Sequence, residues 1–302
     1  MAGRSRRRTA RARSAAPRGH GRVVARVADV RRAVARWRRA GERVAFVPTM
    51  GALHAGHLSL IARARASASR VVASVFVNPL QFGPREDFRR YPRPRGRDRA
   101  LLAAAGVDLT WEPDARELYP PDERTRVRVE GLDAVLEGAS RPGHFTGVTT
   151  VVLKLLNAVM PDELWLGQKD AQQARLIEQM VRDLLLPVRV RRVATVRDAD
   201  GLALSSRNRY LSPRQRARAR TLSLGLAAAR RALDAGERSP ARLRLLVRRA
   251  WRGGTGVRED YVAVVDAETL QPVRRVARRV LVAVAARVGP ARLIDNFEWE
   301  PR

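Results

Sequence analysis

Apolar residues recur at Val24, Val27, Val30, Val34 and Trp37. This is the three-to-four spacing of an amphipathic helix over residues 23–40, and Gly41 is placed to end it. The next apolar run, residues 44–47, is short and unbroken and stops at Pro48, the pattern of a buried strand. A small-residue turn through Gly51 leads into an Ala/Leu-rich stretch that reads as a helix to about residue 69. Residues 70–77 repeat the buried-strand pattern. Beyond them, 98–105 reads as a short helix and 107–111 as a strand. Residues 146–160 form a largely apolar and therefore buried helix. Strand 163–166, helix 171–185 and strand 187–195 follow. Strands alternating with helices on short connections predict βαβ units and a parallel sheet. The fold class is α/β, a Rossmann-like doubly wound sheet with its ligand beyond the carboxyl ends of the strands.

After Tyr210 the character changes. Residues 213–235 and 240–251 read as two Arg/Ala-rich helices, and 261–265, 280–285 and 291–296 as short strands. The expected organisation is a disordered basic arm over 1–22, a nucleotide-binding catalytic domain over 23–195 and a smaller α+β lid domain over 196–302. The arm holds eight arginines and no acid, so it reads as a solvated tail. No apolar stretch follows the charges, as a secretory signal would require.

The 302 residues carry a net charge of +30, which invites a nucleic-acid reading. Yet all but two of the 60 basic residues are arginine, the exceptions being Lys154 and Lys169. Phosphate attraction does not require a guanidinium, and the charges are spread along the chain. The pattern reads as a composition bias, and no specific nucleic-acid partner is expected. Against that bias Lys169 marks a place where a compact ammonium is wanted. No apolar run reaches the roughly 18 residues of a membrane span. With no cysteine there is no disulfide framework or thiolate metal site, which fits a cytoplasmic protein.

Four stretches carry chemistry. Val44 to Leu58 joins a strand, a glycine turn and a helix start bearing His54 and His57. Helix starts have unpaired N–H groups that bind anions, and imidazoles three apart face the same anion. Neutral or charged, both imidazoles can donate to phosphate oxygens. Residues 75–82 end the second strand with Asn78 and Gln81, amides suited to orienting a hydroxy acid. Residues 166–173 close another strand with Lys169 to neutralise phosphates and Asp170 to meet a helix dipole or Mg²⁺. Residues 196–211 offer Ser205, Ser206 and Arg207 to phosphate oxygens. A further loop, 137–147, holds His144 ahead of the apolar helix. Cysteine is absent and neither serine has a histidine in its motif. Catalysis is therefore expected from positioning and charge stabilisation, without a covalent protein intermediate.

The His-Ala-Gly-His run resembles the HIGH signature of the nucleotidyltransferase superfamily. The longer Pro48-Thr-Met-Gly-Ala-Leu-His-Ala-Gly-His57 is similar to the pantothenate synthetases (pantoate–β-alanine ligases). Val77-Asn-Pro-Leu-Gln-Phe82, Arg141-Pro-Gly-His-Phe-Thr-Gly147, Gly167-Gln-Lys-Asp-Ala-Gln-Gln173 and Gly201-Leu-Ala-Leu-Ser-Ser-Arg-Asn208 match that family's other motifs in order. The last resembles its mobile KMSKS-type loop. The resemblance implies ATP-dependent condensation of pantoate with β-alanine through a pantoyl-adenylate, releasing pyrophosphate and AMP, in a homodimer. It implies catalytic roles for His54, His57, Lys169 and Arg207. The ATP site would comprise Met50, Gly51, Ala52, Leu53, His54, Ala55, Gly56, His57, Gly167, Gln168, Lys169, Asp170, Val196, Leu204, Ser205, Ser206 and Arg207. Gln81, Gln173, Asn78 and His144 would meet pantoate or β-alanine, and Asp98 and Asp170 would hold Mg²⁺.

Two positions depart from the family. Gln168 stands where the family has Glu, keeping the shape and dropping a negative charge, and Arg97 interrupts an acidic cluster that retains Asp98. Two other readings stay open on the residues alone. One is a HIGH-type adenylyltransferase for a different acid. The other is a basic binding protein that has lost activity at those two positions.

Overall fold

The computed structural model describes residues 21–84, 86–252 and 256–301. The arm expected over 1–22 lies, up to residue 20, outside them. In chain order the larger lobe runs β1 (Arg22–Val24), α1 (Val27–Arg39), β2 (Val44–Thr49), α2 (Ala55–Ser67) and β3 (Arg70–Val75). It continues with α3 (Arg95–Ala104), β4 (Leu109–Trp111), α4 (Ala115–Leu118), α5 (Glu137–Ser140) and α6 (His144–Val159). It ends with β5 (Glu163–Gly167), α7 (Ala171–Asp183) and β6 (Arg189–Val193). The strands form one parallel sheet in the order β1-β4-β3-β2-β5-β6. The chain winds outward from β2 in one direction through β3 and in the other through β5. The strand order therefore reverses between β2 and β5, where such sheets bind ligands.

β2 reads as an unbroken apolar run because both of its faces are covered. Val44 and Phe46 enter the cluster with α1, α6 and α7, built on Val34, Trp37, Leu155 and Ile177. Ala45 and Val47 enter a second cluster with α2 and α3, built on Leu60, Ile61 and Leu102. Successive side chains of a strand point to opposite faces, so a doubly covered strand shows no polar alternation.

One sequence expectation needs correction. Residues 23 and 24, expected in the first helix, and residue 22, expected in the arm, form the edge strand β1, in register with β4 through Arg22↔Leu109 and Val24↔Trp111. Val24 fits either periodicity, and three residues are too few for a period-two pattern to show. The helix begins at Val27, whose N–H is held by Glu117 Oε1 at 2.7 Å.

The smaller lobe holds α8 (Pro213–Asp234), α9 (Pro240–Arg252), β7 (Val257–Asp266), β8 (Val280–Val288) and β9 (Ala291–Trp299). Its antiparallel sheet has the order β7-β8-β9. Val280, Val282 and Val284 pack with Leu226 and Leu233 of α8 and Leu243 and Val247 of α9. Leu281 and Ala283, facing the other way, join the core of the larger lobe. The small sheet is thus sandwiched between its own helices and the parallel-sheet lobe. Arg292 of β9, with both terminal nitrogens on buried Glu137 of α5, adds a charged link across that contact, and Arg197 pairs with Asp295 of β9 at 2.6 Å. No helix among the described residues is long and apolar enough to cross a membrane.

Candidate active site

The carboxyl ends of β2, β3, β5 and β6 open onto one cleft, closed on its other sides by α6 and residues 204–207. The cleft is open to solvent at its mouth, and polar groups converge on an otherwise largely apolar lining, as in small-molecule sites.

The turn after β2 is held open by a buried carboxylate. Asp98 of α3, 1 % exposed, accepts the N–H of Ala52 at 2.8 Å through Oδ2 and that of Leu53 at 2.9 Å through Oδ1. Gly51 has φ +78°, and a Cβ there would lie 2.9 Å from Asp98 Oδ2 and 3.0 Å from Val75 Cγ1, so only glycine passes. Ala52 is left-handed as well, at φ +51°, a conformation uncommon outside glycine and fixed here by its bond to Asp98. Asp98 was expected as a metal ligand, but it is closed off from the cleft and supports the turn from behind. Asp98→Asn would turn an NH₂ toward one of two backbone N–H donors. The unsatisfied pair costs about 1–3 kcal/mol. We expect a lower melting temperature and a raised KM for ATP, and thermal unfolding indistinguishable from the parent would contradict this role.

His54 caps α2. Its Nδ1 accepts the Gly56 N–H at 3.1 Å, and Nδ1 of His57 accepts the His54 N–H at 3.3 Å, a reciprocal capping box. The rings lie 4.1 Å apart between centroids. Burial, and after it the charge of Lys169, lowers the His54 pKa to about 4. Burial, and after it His54, lowers that of His57 to about 3. Both imidazoles are neutral at pH 7, and an Nδ1 that accepts a backbone N–H leaves the proton on Nε2. The pair is thus two donors. The sequence left neutral and charged forms open, and the structure selects the neutral one.

Asn78 caps the 3₁₀ turn Pro79–Gln81 beyond β3, and Gln81 ends it. Asn78, 1 % exposed, commits its amide to Gln81, to the Gly147 carbonyl and to the Tyr119 hydroxyl. It forms the floor beneath Gln81. α6 approaches this turn so closely that a Cβ on Gly147 would fall 2.4 Å from the Leu80 carbonyl oxygen. His144, expected beside the substrate, has both nitrogens engaged: Nδ1 with the Gln81 carbonyl at 2.8 Å and Nε2 with Arg141 Nη1 at 2.9 Å. Burial, then Arg141, lowers its pKa to about 4. It braces Arg141, whose guanidinium also grips Glu86 at 2.7 and 2.6 Å.

Lys169 enters the cleft from the 3₁₀ turn after β5, with Nζ 3.5 Å from Asp170. Its carbonyl and that of Gln168 are held by Nδ2 of Asn296 on β9, at 2.8 and 3.1 Å. Gln168, expected at ATP, instead faces β9. Its Nε2 donates to Glu298 at 2.9 Å, and its Oε1 accepts from Arg192 at 3.4 Å. A glutamate here would set two carboxylates against each other, so the neutral amide suits this surrounding. Gln173 lines the cleft on α7, whereas its neighbour Gln172 is spent on the backbone around residues 132–137.

The remaining wall is residues 193–196 and 204–207. Leu204 N–H donates to the Val196 carbonyl at 3.0 Å, and Ser205 Oγ accepts the Arg207 N–H. Ser206 meets the Tyr91 hydroxyl at 3.2 Å, and Arg207 is bidentate with Asp87 at 3.1 and 2.8 Å. Sequence reasoning missed Tyr91, Asp87, Arg141 and Thr195. Thr195 Oγ1 is buried with no hydrogen-bond partner. None of the four lies in a stretch with a chemical signature of its own, apart from Arg141. Of the expected site, Gly51, Ala52, Leu53, Ala55, Gln168 and Asp98 fall outside the cleft lining. No group of three or more metal-binding side chains occurs among the described residues.

The family model described as Pantoate-beta-alanine ligase matches residues 22–298. A pantothenate synthetase of Moorella thermoacetica is 53% identical over 274 residues, covering 91% of this chain and 97% of the relative. One from Agrobacterium fabrum is 52% identical over 276 residues, 91% of this chain and 94% of its own. Among solved structures, pantothenate synthetase from Thermus thermophilus superimposes with a TM-score of 0.88 at 50% identity, covering 93% of this chain and 100% of its own. The pantoate-β-alanine ligase of Francisella tularensis, solved in complex with beta-gamma ATP and β-alanine, gives 0.74 at 33% identity over 92% and 97%.

Proposed function

The chain belongs to the pantoate-β-alanine ligase family and couples ATP to the condensation of pantoate with β-alanine; we propose that it does so in the cleft described above, through a pantoyl-adenylate. The observation that carries the reading is the pair of neutral, Nε2-protonated histidines at a helix N-terminus, in the same cleft as Lys169.

A pantoate carboxylate oxygen bonds to the α-phosphorus while the bond to pyrophosphate breaks, its electron pair leaving with pyrophosphate. Negative charge on the transferring phosphate meets His54 and His57 Nε2–H and the ammonium of Lys169, at the positive end of the α2 dipole. An imidazole already protonated on the nitrogen it presents is a donor and not a base, which suits a step that moves no proton. The amine of β-alanine then attacks the acyl carbon. The C–O bond to AMP breaks, its electrons remain on the phosphate, and the amine's excess protons pass to water. Gln81 and Gln173 are assigned to pantoate, and residues 193–196 with the free Thr195 hydroxyl to the nucleobase end. Arg207 reaches phosphate by exchanging Asp87 for it.

Among the described residues, Asp170 is the single carboxylate lining the cleft. That fits Mg²⁺, which binds through substrate phosphates and one or two carboxylates. Asp170 would hold it, and the ion would neutralise phosphate charge. A homodimer belongs to the same reading, on the family resemblance alone. So does a cytoplasmic location, where ATP is supplied.

The test is AMP formation by the purified protein with MgATP, pantoate and β-alanine, omitting each in turn. AMP that requires all three is the expected result. AMP formed equally well without pantoate, or with another acid in its place, would overturn the assignment.

A further inference from the structure

A chain of polar side chains runs beneath the cleft from α6 to Gln81, and its hydrogen bonds have one direction. At its far end Lys154, one of the two lysines, donates to the Leu118 carbonyl at 2.6 Å and pairs with Glu123 at 3.0 Å. Its Nζ lies 5.1 Å over the Tyr119 ring. The Tyr119 hydroxyl is 2.7 Å from Asn78 Oδ1. The Leu80 N–H, which can only donate, points at that same atom from 3.3 Å, so the atom is an oxygen and the phenol is its donor. Burial, and after it the Glu123 charge, pushes the phenol pKa up, so it keeps its proton. At the other end of the amide, Nδ2 gives one hydrogen to the Gly147 carbonyl at 3.1 Å and one to Gln81 Oε1 at 3.0 Å. Gln81 therefore turns its oxygen inward and its NH₂ outward. There it meets the Met50 thioether at 3.3 Å, a weak acceptor that leaves a hydrogen for a ligand.

We propose that Tyr119 is a positioning residue that, through the shortest of three bonds directing the Asn78 amide, locks the polarity of the Asn78–Gln81 pair, so that Gln81 meets the hydroxy-acid substrate as a hydrogen-bond donor only. This rests on the assignment of Gln81 to pantoate. At this point the cleft admits a carboxylate or hydroxyl oxygen and rejects a group that can only donate. Without the phenol, the Asn78 amide keeps its direction only through the longer bonds to the Leu80 N–H and the Gly147 carbonyl, and its hold on the Gln81 amide weakens.

The test is a double-mutant cycle on the full chain with Tyr119→Phe and Gln81→Ala. It is read as kcat/KM for pantoate in pyrophosphate exchange and as the pantoate dissociation constant, which needs no turnover. Tyr119→Phe is isosteric apart from the hydroxyl. It should lower kcat/KM for pantoate about tenfold, the worth of one hydrogen bond, with KM for ATP held within about twofold. In the Gln81→Ala background the same substitution should add less than about twofold, because its effect passes through Gln81. Losses that multiply, or a Tyr119→Phe enzyme unchanged while Gln81→Ala is impaired, would overturn the proposal. A Gln81→Ala enzyme with unchanged pantoate kinetics would overturn the assignment of Gln81 itself, which separates the two failures.

Discussion

His57→Ala is expected to slow carboxylate adenylation by about a hundredfold or more, the usual cost of one preorganised donor to a developing oxyanion. The effect should lie in kcat for pantoate-dependent pyrophosphate exchange, with little change in KM for ATP, because the donor matters most as charge builds. The fold should survive. The backbone loses one acceptor, His57 Nδ1 for the His54 N–H, worth about 1 kcal/mol. Exchange close to the parent rate would sink this role. The pH profile supplies a second check on the same residue. Folded-state pKa values of about 3 and about 4 for His57 and His54 keep both imidazoles neutral from pH 8 down to near 5. Their contribution to the rate is then flat through 6.5, where an ordinary histidine titrates. A rate that climbed as pH fell through 6.5 would point to imidazolium. Stability has the opposite slope. The unfolded chain binds protons on these histidines below about 6.5 while the folded one does not. Stability is therefore full above 6.5 and falls as pH drops toward 4.

Lys169→Arg is expected to lower the adenylation rate by at least about tenfold, and Lys169→Ala by about a hundredfold. Lysine is rare in this chain, and arginine would satisfy a requirement for charge alone. The backbone carbonyl of Lys169 is tethered to Asn296 at 2.8 Å, and its ammonium sits 3.5 Å from Asp170. A planar guanidinium with a different reach cannot place its charge at the same point. Single-turnover measurement of adenylate formation separates the cases. An arginine variant at the parent rate would show that the lysine is retained without consequence.

The sequence was legible where the physics is local or doubly constrained. Val44 to Val47 reads as a strand because helices cover both of its faces. β8 reads as one for the same reason, between its own helices and the larger lobe. The His54–His57 spacing at a helix start was visible, as were Lys169 and Gln173. What could not be read is what distant residues do to these groups. The neutral state of the histidines follows from burial and from backbone N–H groups on Nδ1. The support of the turn by Asp98 comes from a helix more than forty residues away. Gln168 looked like a weakened nucleotide contact. Its partners, Glu298 and Arg192, come from strands that no local motif connects to it. Asn78 and His144 carry the right chemistry in the right loops, yet the first is spent beneath the cleft and the second on Arg141 and a carbonyl. β1 was lost to the helix pattern beside it, because an edge strand of three residues is shorter than the periodicity that would identify it.

The central claim is that a pantoate oxygen becomes bonded to the α-phosphorus before the amide forms. It is tested most directly with pantoate labelled with ¹⁸O in its carboxylate, turned over with MgATP and β-alanine, and the mass of the AMP measured. The account predicts one ¹⁸O in the AMP phosphate, because the C–O bond cleaved by the amine leaves that oxygen on phosphorus. AMP without label, formed alongside pantothenate, would contradict it.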